Sequence, residues 1–103
     1  TDKSDQPPDV YRELYPLVVY MKSHPGLHID IYGHTDNTGS PDYNLKLAKE
    51  RALFAVNFLI EHGISPKRIK HKGFGSNKPI STNKTEEGKQ ENRRVEFKLY
   101  YPD

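Results

Sequence analysis

The chain has 103 residues, 33% of them hydrophobic, and a formal net charge of +2 from 16 basic and 14 acidic side chains. This length predicts a single domain over residues 1–103, with a thin core. The charge is too balanced to indicate a nucleic-acid partner, and the lack of cysteine excludes disulfides and cysteine-ligated zinc. No stretch approaches the roughly 18 apolar residues of a membrane span.

Residues 1–8 are polar and proline-rich, and we interpret them as the remnant of a leader. Any export signal or membrane anchor would then precede Thr1. A first helix follows, either capped by Asp9 or with Pro8 in its first turn. Its apolar residues recur at helical spacing: Val10, Leu14, Leu17, Val18 and Met21. The segment SHPG at 23–26 ends this helix.

Alternation in LHIDIYG, residues 27–33, predicts a half-buried strand with Leu27, Ile29 and Ile31 on its inner face. After a polar turn, a long helix is predicted from Pro41 or Asp42 to His62, closed by Gly63. Its core stripe consists of Leu45, Ala48, Ala52, Ala55, Val56 and Leu59.

The segment RIKHKGFG at 68–75 predicts a second strand, with Arg68, Lys70 and Lys72 on one face. Residues 75–92 are polar and predict a long loop with at most one helical turn near 85–88. A last strand is predicted at 94–101, where one face carries Val95, Phe97, Leu99 and Tyr101.

The order of these elements predicts an α+β fold, a two-layer sandwich with helices on one face of a small mixed sheet. Three strands make a narrow sheet. We therefore expect a fourth strand, either before Thr1 or supplied in another way.

The turn GHTDNTGSPDYN at 33–44 lies between a strand end and a helix N-terminus, a position that favours anionic ligands. At about 100° per residue, Asn44 and Arg51 lie about 20° apart on the helix. Arg51 could hold a carboxylate and Asp36 an ammonium, which together form a clamp for a zwitterion. Arg93 shares the helix-facing side of the last strand, whereas Arg94 points away.

A purely structural interpretation competes with this clamp. Asp36 could cap the helix or close an Asx turn, and Arg51 could pair with a nearby glutamate. His34 and Asp36 form an H-x-D pair, but a structural metal site needs about four ligands and no second cluster is evident. We find no nucleophile–base pair or paired carboxylates, so we expect no enzyme activity, metal or cofactor.

The motifs around this turn resemble those of the OmpA-like domain. This module is found in outer-membrane protein A, peptidoglycan-associated lipoprotein and flagellar stator protein B. The resemblance spans about residues 10–99 and includes several ordered motifs: G-H-T-D-x-x-G at 33–39, Asn44-Leu45, Arg51-Ala52, G-F-G at 73–75, Pro79, and N-R-R at 92–94.

The resemblance implies non-covalent binding of peptidoglycan through the diaminopimelate of its stem peptide. It also implies a periplasmic domain that anchors an outer-membrane or envelope protein to the cell wall. By motif position, the ligand-binding pair falls on Asp36 and Arg51. The same pocket would include Thr35, Asn37, Asn44 and Arg93.

The chain departs from the family pattern because the usual first strand is reduced to the residues TDKSD. An edge strand would then be unpaired, which allows weak self-association. Two other functions stay open. One is a polyanion-binding module that uses the basic residues of 66–72 and 89–94, and the other is a protein-interaction module of an envelope complex.

Overall fold

A computed structural model describes residues 8–102 of the chain, with side chains from Leu14 onward. Its elements are α1 (Pro8–Ser23), β1 (His28–His34), α2 (Pro41–Glu61), a short 3₁₀ helix (Pro66–Arg68), β2 (Ile69–Gly75), α3 (Glu86–Asn92) and β3 (Arg94–Tyr100). None of the helices within residues 8–102 is long and apolar enough to cross a membrane.

The first helix begins two residues earlier than a capping Asp9 would require. Pro8 is its first residue, so the alternative with this proline in the first turn is correct, and residue 8 belongs to the helix instead of the predicted leader. Residues 1–7 lie outside the described part, as does the side chain of Val10. Leu14, Val18 and Met21 are buried as predicted.

The three strands form a mixed sheet in the order β2-β1-β3. β1 pairs with β2 in parallel and with β3 antiparallel, so that Ile31 lies between His71 and Phe97. The inner positions of β1, at Ile29 and Ile31, are fully buried among residues of α1 and α2. The predicted two-layer α+β fold is therefore confirmed.

The long helix α2 packs closely over the sheet because two strand positions lack side chains. A Cβ at Gly33 would lie 2.0 Å from the carbonyl oxygen of Ala48, and one at Gly73 would lie 2.6 Å from the backbone nitrogen of Lys49. Five predicted core residues of α2 are buried, whereas Leu45 is only half-buried. Gly63 follows the helix at a φ of +100°, as a helix-terminating glycine should.

The prediction that Arg68 shares a strand face with Lys70 and Lys72 is wrong. Arg68 lies in the 3₁₀ helix and donates hydrogen bonds of 2.7–2.8 Å to the carbonyls of Met21, His24 and Leu27. These acceptors include a carbonyl near the end of α1 that the helix itself leaves unpaired. Arg68 therefore joins the end of α1 to the start of β2.

Residues 75–92 contain more helix than the predicted single turn. Thr85 caps α3 by accepting a hydrogen bond of 3.0 Å from the backbone nitrogen of Gly88, and the helix runs to Asn92. The segment lacks the apolar periodicity that identifies a helix, which explains the wrong prediction.

The last strand ends one residue earlier than predicted. Tyr101 is exposed and follows β3 instead of extending it.

Within residues 8–102 the sheet has three strands, and β2 and β3 are its edges. The expected fourth strand, before Thr1 or supplied in another way, and the weak self-association stay predictions.

Candidate ligand-binding site

The turn at residues 35–40 joins the carboxyl end of β1 to the N-terminus of α2. Ser40 caps α2 by accepting a hydrogen bond of 3.1 Å from the backbone nitrogen of Tyr43. The backbone nitrogen of Thr35 donates to the carbonyl of Gly75 at 2.8 Å, which ties the turn to the end of β2. The hydroxyl of Thr35 donates to the carbonyl of Asp36 at 2.9 Å.

Asp36 is a buried carboxylate whose two oxygens have different partners. Oδ1 accepts a hydrogen bond of 2.8 Å from the backbone nitrogen of Thr38, which closes an Asx turn. Oδ2 forms an ion pair with Nη1 of Arg93. Burial alone would raise the pKa of Asp36, but the hydrogen bonds from Thr38 and Arg93 outweigh burial and lower this pKa below its usual value.

Arg93 connects Asp36 to a second acidic residue. Its Nη2 lies 2.7 Å from Oε2 of Glu86, in the first turn of α3. The hydrogen bond to Glu86, together with Asp36, raises the pKa of Arg93 against the opposing effect of burial. Arg93 caps the end of α3 and precedes β3, so the strand alternation that predicts its helix-facing side does not apply to it, whereas Arg94 begins β3 and pairs with Glu96 at 2.7 Å.

Arg51 makes a weaker set of contacts than the clamp interpretation assumes. Its Nη1 donates to the carbonyl of His34 at 3.3 Å. Among residues 8–102 it forms no ion pair, either with Asp36 or with a glutamate. Burial lowers the pKa of Arg51 and the positive charge of Arg93 lowers it further, while the negative charge of Asp36 raises it.

The two predicted asparagines occupy different environments. Asn44, in the first turn of α2, is 2% exposed, and its side chain makes no hydrogen bond within the described part of the chain. Asn37 is exposed at the tip of the turn and likewise makes no side-chain hydrogen bond there. Asn44 thus offers an amide without a described partner, while Nδ1 of His34 is the one fully buried side-chain polar atom of the described residues that lacks a hydrogen bond.

The structure therefore brings Asp36 and Arg93 into direct contact. The charges of both residues act on the pKa of Arg51, in opposite directions. Sequence reasoning missed Glu86, because a helix at 86–92 is needed to see that Glu86 and Arg93 lie two turns apart. It also missed the role of Asn92. This side chain is fully buried and accepts from the backbone nitrogens of Ile80 and Ser81 at 2.8 and 3.0 Å.

The side chains of the H-x-D pair, His34 and Asp36, contact different partners. Nε2 of His34 lies 3.2 Å from Glu96, whereas Asp36 turns to Arg93. Burial and the charge of Arg94 lower the pKa of His34, against a smaller opposing effect of Glu96. From residue 8 to residue 102, no group of three or more histidine, aspartate or glutamate side chains could hold a metal ion.

Comparisons with known proteins show the family of the chain. A model of the OmpA family matches residues 1–93. Outer membrane porin F of Pseudomonas fluorescens is 38% identical over 95 residues, covering 92% of this chain and 29% of that protein. The peptidoglycan-binding protein ArfA of Mycobacterium tuberculosis is 38% identical over 90 residues, covering 87% of this chain and 28% of that protein. The chain thus spans less than a third of the length of these relatives.

Solved structures share the fold. The peptidoglycan-associated lipoprotein from Burkholderia pseudomallei has a TM-score of 0.89 at 29% identity, covering 96% of this chain and 84% of that one. The C-terminal domain of Helicobacter pylori MotB has a TM-score of 0.85 at 25% identity, covering 97% of this chain and 80% of that one. The resemblance seen in the sequence motifs is confirmed, and the chain belongs to the OmpA family.

Proposed function

We propose that this domain binds peptidoglycan without performing chemistry, through the diaminopimelate of the stem peptide. The free end of that side chain carries an amine and a carboxylate on one carbon. In this proposal the carboxylate binds Arg51 and the amine binds Asp36. The domain thereby attaches a cell-envelope protein to the wall from the periplasm, a setting consistent with relatives such as porin F and peptidoglycan-associated lipoprotein.

One observation carries the proposal: Arg51 is a partly buried cation whose described partner is a single backbone carbonyl. The neighbouring cation, Arg93, is already matched by Asp36 and Glu86. A carboxylate ligand would therefore meet an unmatched guanidinium, which can hold both of its oxygens. Burial and the positive charge of Arg93 lower the pKa of Arg51, and a bound carboxylate would oppose that shift by stabilising the charged guanidinium.

The ammonium end of the ligand also has acceptors. An ionised carboxylate offers about four lone-pair positions, so Asp36 can accept a further donor beside Thr38 and Arg93. Asn44 provides an amide without a described hydrogen bond, and Asn37 stands at the rim. In the proposal Thr35 shapes the turn through its bond to the carbonyl of Asp36.

Affinity for one diaminopimelate group should be modest, because the ligand is small and the turn is near the surface. Many copies along the polymer would supply avidity to an anchored protein.

The test is calorimetric titration with free diaminopimelate, together with co-sedimentation on purified peptidoglycan sacculi. Arg51→Gln and Asp36→Asn should each weaken diaminopimelate binding about tenfold or more, since each leaves a buried charge of the ligand unmatched. Lysine should compete poorly because it lacks the second carboxylate.

Two matched variants serve as controls. Lys46→Gln removes a positive charge from an exposed position of α2, and Asp42→Asn removes a negative charge from the exposed start of that helix. Both should bind as the wild type does. Unchanged diaminopimelate binding in folded Arg51→Gln and Asp36→Asn proteins would refute the proposal.

A further inference from the structure

The sheet has an open face, which we define as the surface opposite α2. Register places Asp30 between Lys70 of β2 and Lys98 of β3, and Tyr32 between Lys72 and Glu96. Phe74, at the end of β2, joins this surface through ring contacts with Tyr32 and His34. The open face contains a shallow groove of about 190 Å³, lined by Asp30, Tyr32, Lys70, His71 and Lys72.

The acidic groups of the open face already have partners. Asp30 accepts hydrogen bonds from the hydroxyls of Tyr32 and Tyr100, each at 3.1 Å and each on a different carboxylate oxygen. Glu96 pairs with Arg94 at 2.7 Å. These contacts leave the lysines of the open face without an ion pair among residues 8–102.

Lys78, in the loop after β2, joins Lys72 of the open face at one aromatic ring. The Nζ atoms of Lys72 and Lys78 lie 5.1 and 5.2 Å from the ring centroid of Phe74. Cation–π contacts hold both ammonium groups there, although like charges repel each other. An anion bound beside the ring would relieve that repulsion. The side chain of Arg94 also helps to position Lys78, because it donates a hydrogen bond of 2.8 Å to the backbone carbonyl of Lys78.

The cationic ring cluster, which we define as Lys72, Lys78 and Phe74, contacts a residue that also contacts Arg51. Phe74 stacks on the ring of His34, with centroids 5.4 Å apart and an angle of 16° between the planes. The carbonyl of the same His34 accepts the hydrogen bond from Arg51. His34 thus links the two regions, with its ring at the cluster and its backbone carbonyl at Arg51.

We propose that the open face, through Lys72 and Lys78 and secondarily Lys70 and Lys98, binds carboxylates of the polymer whose diaminopimelate occupies the pocket. The identity of that polymer as peptidoglycan rests on the proposed function. The surplus of positive charge matches a polymer that repeats carboxylates along its length. The domain thus has a specific pocket for one residue and a less specific electrostatic surface for neighbouring ones.

The test compares Lys72→Gln/Lys78→Gln with a matched double variant, Lys22→Gln/Lys46→Gln. The matched variant removes the same charge from exposed positions on α1 and α2. Three probes are used: sacculi, poly-L-glutamate, which has carboxylates but no diaminopimelate, and vesicles containing phosphatidylglycerol. Thermal melts monitored by circular dichroism establish that each variant is folded.

The Lys72→Gln/Lys78→Gln protein should lose about fivefold in affinity for sacculi and for poly-L-glutamate at low salt. The loss should shrink as salt is raised, and its affinity for free diaminopimelate should equal that of the wild type. The Lys70→Gln/Lys98→Gln protein should lose affinity in the same direction. The matched variant should bind all probes as the wild type does.

Wild-type affinity of the Lys72→Gln/Lys78→Gln protein for sacculi would overturn the inference. An equal loss in the matched variant would overturn it as well, because net charge alone would then explain the effect. A loss confined to the lipid vesicles would assign the face to phosphate headgroups instead. Failure of the pocket proposal is distinguishable, since Arg51→Gln should change diaminopimelate binding and leave poly-L-glutamate binding unchanged.

Discussion

Arg93 forms an ion pair with Asp36, a residue 57 positions earlier in the chain. The pair links the turn after β1 to the junction of α3 and β3, and Glu86 holds the other nitrogen of the guanidinium. The site thus contains a structural cation, Arg93, and a less fully matched one, Arg51. Asp36 therefore pairs with Arg93 and not with Arg51, the arginine that the sequence predicts as its partner in the clamp.

The Asp36–Arg93 pair predicts a change in a measurable pKa. In an Arg93→Ala protein the pKa of Asp36 should rise, because burial persists while the hydrogen bond and charge of Arg93 are lost. Carboxyl carbon chemical shifts followed by NMR through a pH titration would measure this. Arg94→Ala removes the same charge one residue away and should leave the titration of Asp36 nearly unchanged. Equal shifts in both variants would contradict the role given to Arg93.

The same lowered pKa predicts how stability depends on pH. Because the pKa of Asp36 is lower in the folded than in the unfolded chain, its contribution is fully present above the unfolded value of about 3.9. That contribution is lost as pH falls through the folded pKa. The free energy of unfolding should therefore differ between wild type and Asp36→Asn at pH 6, and the difference should shrink on acidification. A difference independent of pH would contradict this assignment.

His34 predicts a pH dependence in a different window. Since its pKa is lowered by folding, the unfolded chain takes up a proton first as pH falls below about 6.5. The free energy of unfolding should decline from there until the pH reaches the folded pKa. Urea unfolding at several pH values should show this decline in the wild type and a smaller one in His34→Gln. Identical slopes in the two proteins would disprove the prediction.

Asn92 predicts a large effect from one polar side chain. Its amide oxygen accepts from Ile80 and Ser81, and its nitrogen donates to Ser81 and Asn83. Asn92→Ala should reduce the free energy of unfolding by about 1–3 kcal/mol, because the backbone groups of Ile80 and Ser81 lose their hydrogen bonds to a fully buried side chain. Hydrogen exchange should accelerate at the backbone nitrogens of residues 80 and 81. Glu91→Ala, at the exposed neighbouring position, is the control and should change the exchange little.

The absence of a side chain at Gly33 allows α2 to pack closely on β1. A Cβ there would lie 2.0 Å from the carbonyl oxygen of Ala48, so α2 would have to move away from β1. Gly33→Ala should cost about 1–3 kcal/mol or more of the free energy of unfolding, measured by urea denaturation. Gly26→Ala adds the same methyl group where the nearest atoms are 3.6 Å away, and should be nearly neutral. Equal stabilities would mean that α2 can shift freely.

The local elements followed from the sequence because periodicity and turn residues are local properties. Alternation identified β1 and its buried Ile29 and Ile31, and helical spacing identified α2 with its Gly63 ending. The polar turn around Asp36 was likewise apparent as a candidate site. Where periodicity was lacking, as in α3, the prediction was wrong.

The partners of the charged side chains depended on the tertiary structure. The sequence contained Asp36, Arg51 and Arg93 as candidates, but pairing of β3 with β1 determined that Arg93 reaches Asp36. In the same way, folding directed Arg68 to backbone carbonyls and left Lys72 and Lys78 at the ring of Phe74. Local spacing determines which face a residue occupies. Which charge it meets depends on elements far apart in the chain, because only packing brings them within a few ångströms.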